Sequence, residues 1–115
     1  MMLLKIGAIV ILLVGLSSQL LAADLLGRLV LAPHQAPVVA AQVSVSCNDL
    51  KAITVKTDYT GRYRVARLPN GARCVVMVRH NNIDTNDVRL RTRPGNTWLN
   101  LELLRLPQRW RLRSR

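Results

Sequence analysis

The 115-residue chain predicts an all-β domain, a single seven-stranded two-sheet sandwich, behind an N-terminal signal peptide. Two observations carry the fold class. Apolar and polar residues alternate with a period of two in several segments, which is the pattern of strands with one buried face. These segments recur about every ten residues with Gly, Pro, Asn or Asp between them, the rhythm of a sandwich rather than of strands alternating with helices. The organisation expected is a signal peptide over residues 1–23, a sandwich over 24–104 and a basic tail over 105–115.

The leader has one early cation, Lys5, an apolar run over residues 6–16, and the small residues Ala22 and Ala23 before Asp24. That is the three-part layout of a secretory signal. The alternative is an uncleaved signal anchor, since residues 6–23 could just span a bilayer if Gln19 were tolerated. Removing 23 of 115 residues leaves 92, enough for one small domain. A chain of that size buries roughly 60–65% of its unfolded surface and benefits from a covalent staple. Cys47 and Cys74 are an even pair in an exported domain, a setting that favours a disulfide over a metal or catalytic site.

The first strand is expected over residues 27–31, followed by a loop broken by Pro33 and Pro37. In the next segment Ala41, Val43, Val45 and Cys47 share one face, and Gln42, Ser44 and Ser46 the other. Ile53, Val55 and Thr57 repeat the pattern opposite Thr54 and Lys56. Then comes "TDYTGRYRVARLP": a tight turn over residues 58–61, in which Asp bonds the local backbone and Gly accepts positive φ, and a strand over 62–66 with Tyr63 and Val65 inward. Residues 74–78 are apolar on both faces, as in the middle of a sandwich. A polar loop over 80–87, a weak strand over 88–91, a turn at Pro94 and Gly95, and a last strand with Leu99, Leu101 and Leu103 facing in complete the set.

The segments "GRLV", "PVVAAQVSVSC" and "TVKTDYTGRYRVARLPNGARCVVMV" resemble the carboxypeptidase-regulatory-like or Cna-B-like group of transthyretin-type, or prealbumin-like, β-sandwiches. The resemblance spans residues 27–78, and it departs at Ala40, where that group prefers Gly. It implies that the strand ending at Cys47 and the strand beginning at Cys74 are antiparallel neighbours, which would bring the two thiols together. It is nearly silent on function, because one fold hosts many functions. A transthyretin-like hydrolase would need a histidine set that His34 and His80 do not supply, and the chain ends in Arg-Leu-Arg-Ser-Arg rather than the ending such enzymes carry. No catalytic, cofactor-binding or metal-ligating constellation is legible, and no cofactor is expected.

The charge is lopsided, with 17 Lys and Arg against 6 Asp and Glu and a formal net charge of +11. An exported basic protein meets acidic proteins, anionic lipid and polysaccharide before it meets nucleic acid. The scarcity of aromatics, two Trp, two Tyr and no Phe, also argues against a nucleic-acid binder. Near the C-terminus Arg105, Arg109, Arg111, Arg113 and Arg115 surround Trp110, and these six are the candidate contacts to an anionic partner. The expected function is a noncatalytic accessory module, periplasmic or secreted, that binds an envelope or surface protein in secretion or surface-appendage assembly. The alternative is a module that binds a polyanion or carbohydrate.

Overall fold

Period-two segments become strands throughout the computed structural model, which describes residues 22–107 and 109–115. They are β1 (Ala22–Leu31), β2 (Ala36–Pro37), β3 (Gln42–Cys47), β4 (Ile53–Lys56), β5 (Arg62–Pro69) and β6 (Arg73–His80). These are followed by β7 (Ile83–Asp84), β8 (Val88–Arg91), β9 (Gly95–Trp98), β10 (Leu101–Leu106) and β11 (Arg109–Ser114). Two sheets pack as a sandwich. In the first, β1 lies between antiparallel β5 and β2 on one side and parallel β9 and β10 on the other, and β11 is added outside β10. In the second, the order is β4-β3-β6, with β7 and β8 both against β6.

The described residues thus form eleven strand segments where the sequence pattern suggested seven. The last predicted strand is broken into β9 and β10 at Leu99 and Asn100, where the Leu99 amide donates to the Leu26 carbonyl and the Arg28 amide donates to Asn100 Oδ1. β2 and β7 are two-residue bridges, too short for a periodicity to register. The boundary drawn at residues 104/105 falls inside β10, and that at 23/24 inside β1; the rest of the expected signal segment lies outside the described residues.

The core is where the alternation places it. Leu25, Leu29, Val65, Leu101 and Leu103 from the first sheet meet Val43, Val45, Val76 and Val78 from the second, all fully buried. Leu99 differs from expectation: at the break between β9 and β10 it is half-buried and packs on the core margin. Backbone groups that the ladders leave unpaired are met by three buried threonines. Thr57 Oγ1 accepts from the Ala41 amide and donates to the Val38 carbonyl. Thr92 Oγ1 accepts from Ala72 and donates to Pro69, and Thr85 Oγ1 accepts from Val78. Each hydroxyl removes an unsatisfied donor that would otherwise cost about 1–3 kcal/mol.

"TDYTG" is architecture. Asp58 Oδ1 accepts from the Thr60 amide, the Thr60 hydroxyl and the Arg62 amide, and the Gly61 amide closes the turn on the Asp58 carbonyl. Gly61 has φ +80°, and a β-carbon there would lie 2.4 Å from the Leu29 carbonyl oxygen. Only glycine takes that backbone while the turn docks on β1 through the Leu29 amide and the Gly61 carbonyl. Ala40, the departure from the group's Gly, sits at φ 57°, so this position too is one that glycine would occupy without strain.

β3 and β6 are antiparallel neighbours with Cys47 directly opposite Cys74, and the two are joined by a disulfide. A disulfide fits an oxidising, extracytoplasmic compartment. The cysteines are 27 residues apart, and closing such a loop stabilises the fold by about 3.5 kcal/mol on loop-closure entropy. Reduction is therefore expected to lower the melting midpoint by roughly 15–25 °C for a domain of this size. Circular dichroism melts with and without a phosphine reductant check this, with thiol labelling to verify cleavage. An unchanged midpoint with both thiols labelled would contradict it.

Candidate functional site: a cationic sheet face

The outer strand of the first sheet carries the arginines singled out in the sequence. β11 pairs antiparallel with β10 in the register Glu102↔Arg113, Leu103↔Leu112, Leu104↔Arg111 and Arg105↔Trp110. The Arg/apolar alternation is therefore read out as two faces. Leu112 is 2% exposed in the core, and Trp110 is half-buried against the edge of the His80 ring, with centroids 5.2 Å apart. Arg109, Arg111, Arg113 and Arg115 are exposed. Alternate residues of a strand lie about 6.6 Å apart, so these cations form a row of fixed pitch.

The row is unevenly compensated. Arg113 Nη2 lies 3.1 Å from Glu102 Oε1, a carboxylate otherwise buried between strands, and Arg115 donates to the Gln35 side chain. Arg109 and Arg111 line a cleft with Asp84, Thr85, Asn86 and Trp110. Arg105 borders a smaller hollow with Asn81, Ile83, Leu106, Arg109 and Trp110. All six candidate contact residues are thus on one hairpin, but Trp110 is turned into the fold and does not serve as an exposed anchor.

The free edge of β11 is covered near its middle. The Leu112 amide donates to Asn86 Oδ1 at 2.8 Å, and Asn86 Nδ2 donates to the Leu112 carbonyl at 3.1 Å. One carboxamide here takes both hydrogen-bonding groups that a neighbouring strand would use.

A second cluster on the first sheet was not singled out in the sequence. The register sets Arg64 of β5, Leu26 of β1 and Trp98 of β9 side by side. They line an open cleft of about 710 Å³ together with Arg28, Lys56, Asp58, Arg62 and Asn100. Trp98 is 68% exposed. The signal was present: with Thr97 and Leu99 read as the inward phase, a tryptophan between them must face out. Asp24 shapes this face. Its Oδ2 lies 2.6 Å from Arg64 Nη2 and its Oδ1 accepts from the Arg67 amide at a bulge where Arg67 has φ 62°. The Arg64 hydrogen bond, then the Arg67 amide, hold the Asp24 carboxyl below its ordinary range. Asp58 is held low first by the Thr60 hydroxyl and then by the Arg62 amide.

Under the cleft, Tyr63 is buried and its hydroxyl donates to the Leu99 carbonyl. Desolvation raises its pKa, so the phenol is a structural donor and not a proton-transfer group. His80 is packed on Trp110, and His34 is exposed in the turn before β2. Among the described residues no group of three or more His, Cys, Asp or Glu converges as a metal site, and no helix is long and apolar enough to cross a membrane. No protein-family model matches this chain, nor does any curated protein.

Proposed function

We propose that the chain is an exported, noncatalytic accessory module that binds an acidic envelope or surface protein, in secretion or in assembly of a surface appendage. The observation that supports it is the cation row of β11, where Arg109 and Arg111 stand exposed on a strand anchored by Leu112. Cations on a fixed strand lose less side-chain and backbone entropy on binding than the same residues on a mobile tail. They also steer an acidic partner at long range. Periplasmic or secreted localisation belongs to the same reading.

The test uses the double variant Arg109→Ser/Arg111→Ser, which changes exposed positions only. It is expected to melt like the parent, yet to retain an acidic envelope protein, identified by crosslinking and mass spectrometry, at least fivefold less at moderate salt. Equal retention by parent and variant across a salt series would remove the cation row from the interface. Retention of lipid or glycan with no protein would remove the protein-partner reading. The polyanion or carbohydrate alternative has an observation of its own, the Trp98 face.

A further inference from the structure

We propose that the outer face of the first sheet around Trp98 binds an acidic polysaccharide, with a hexuronate ring stacked on the indole and its carboxylate held by the surrounding arginines. This site goes beyond the β11 row and uses none of its residues.

The first argument is shape. Trp98 stands on a strand, 68% exposed, with half-buried Leu26 beside it in register, so a flat apolar platform lies on an open face rather than in a closed pocket. One accessible face of an aromatic ring suits the C–H face of a pyranose, and an open cleft lets a polymer chain pass through where a small molecule would be only partly enclosed.

The second argument is charge. Arg28, Lys56, Arg62 and Arg64 line the cleft against two acids, Asp24 beside it and Asp58 within it. Asp24 is already engaged by Arg64, and Asp58 Oδ1 by three donors of its own turn. Two of the arginines are fixed in place: Arg28 Nε donates to the Thr60 carbonyl at 2.9 Å, and Arg64 Nη2 to Asp24 at 2.6 Å. Each guanidinium keeps further N–H donors, and a fork held at one corner is suited to bidentate capture of a carboxylate.

The third argument is the neutral polar complement. Asn100 Oδ1 is occupied by the Arg28 amide, which leaves its NH₂ group as a donor, and Asp58 Oδ2 remains an acceptor. Paired donors and acceptors beside an aromatic platform match sugar hydroxyls. They match a single-stranded nucleic acid less well, because a carboxylate in the cleft repels phosphate. The other aromatic lining the cleft, Tyr63, is buried and offers no second stacking surface.

The experiment is calorimetric titration of the full folded domain with an oligogalacturonate, its neutral methyl ester, inorganic polyphosphate and single-stranded DNA. Oligogalacturonate should bind, and Trp98→Ala should weaken it about tenfold, the scale of one lost aromatic stack. Trp98→Phe should retain most of the affinity. Arg62→Gln should weaken binding and flatten its salt dependence, and the ester should bind at least tenfold more weakly than the acid. Arg109→Ser/Arg111→Ser should leave it unchanged, which separates this site from the protein interface. Absence of binding, equal binding by Trp98→Ala, or equal binding of the ester would overturn the proposal. Polyphosphate binding as tightly and independently of Trp98 would reduce the face to bulk charge, and tighter Trp98-dependent binding of DNA would reassign it to nucleic acid.

Discussion

A chain ending at Pro107 is expected to lose its cooperative thermal transition. The deletion of residues 108–115 removes β11, whose six register pairs cover the flank of β10. Leu112 leaves the core, where it is 2% exposed, and a buried leucine is worth about 2–5 kcal/mol in removal experiments. Glu102, 9% exposed, loses the Arg113 guanidinium and stays as a nearly buried carboxylate without its partner, a change that costs about 3–5 kcal/mol. Trp110 is stripped from His80 as well. The total exceeds the lower bound of about 5 kcal/mol on the stability of a small domain. Circular dichroism melts of the truncated and full-length proteins decide it. A truncated protein that melts cooperatively within a few degrees of the parent would show that β11 is not integral to the sandwich. Leu112→Ala is the milder companion, with an expected loss of about 3 kcal/mol.

Gly27→Ala is expected to destabilise the domain by about 4 kcal/mol. Gly27 is buried in β1 opposite Tyr63 of β5, and a β-carbon built on it would lie 1.8 Å from the Leu99 carbonyl oxygen, 2.7 Å from the Leu99 carbonyl carbon and 2.7 Å from the Tyr63 hydroxyl. The first two atoms are backbone, so no rotamer change relieves the contact. Either β1 moves away from Leu99 or the stretch between β9 and β10 does. Overpacking of this kind costs about 1–3 kcal/mol, and breaking the buried Tyr63 to Leu99 hydrogen bond adds about 1–3 kcal/mol. Tyr63→Phe separates the two contributions, since it removes the hydroxyl and leaves the space. Its expected loss is about 1–2 kcal/mol in urea denaturation. A Gly27→Ala midpoint no lower than that of Tyr63→Phe would show that the strands accommodate a methyl group at this crossing.

What the sequence made legible follows from the kind of information each element carries. β3, β5 and β6 alternate over six to eight residues, so one face declares itself, and Val43, Val45, Val65, Val76 and Val78 are buried as that pattern requires. The neighbours implied by the resemblance, the strand ending at Cys47 and the one starting at Cys74, do pair in register. β1 was read too short because residues 22–26 follow directly on an apolar leader, and period-two burial is hidden where every neighbour is apolar. β11 has a clear alternation, but alternation says only that two faces differ. That Leu112 is covered depends on Leu101 and Leu103 of β10 lying beside it, a partnership no local pattern contains. The Trp98 face is assembled from β1, β5 and β9 and the turn at Asp58, four places far apart in the chain, so only the register shows that they meet.

The Asn86 carboxamide that takes both polar groups of Leu112 bears on how copies of this protein behave when crowded together. A sheet elongates from molecule to molecule only if both of its margins accept a stranger's backbone. With one margin of the first sheet plugged by a side chain of the same molecule, an encounter at the opposite margin yields at most a closed pair, and fibre growth through this sheet stops there. A small, arginine-rich domain can thereby be stockpiled at high local concentration without its exposed strands becoming a template for amyloid.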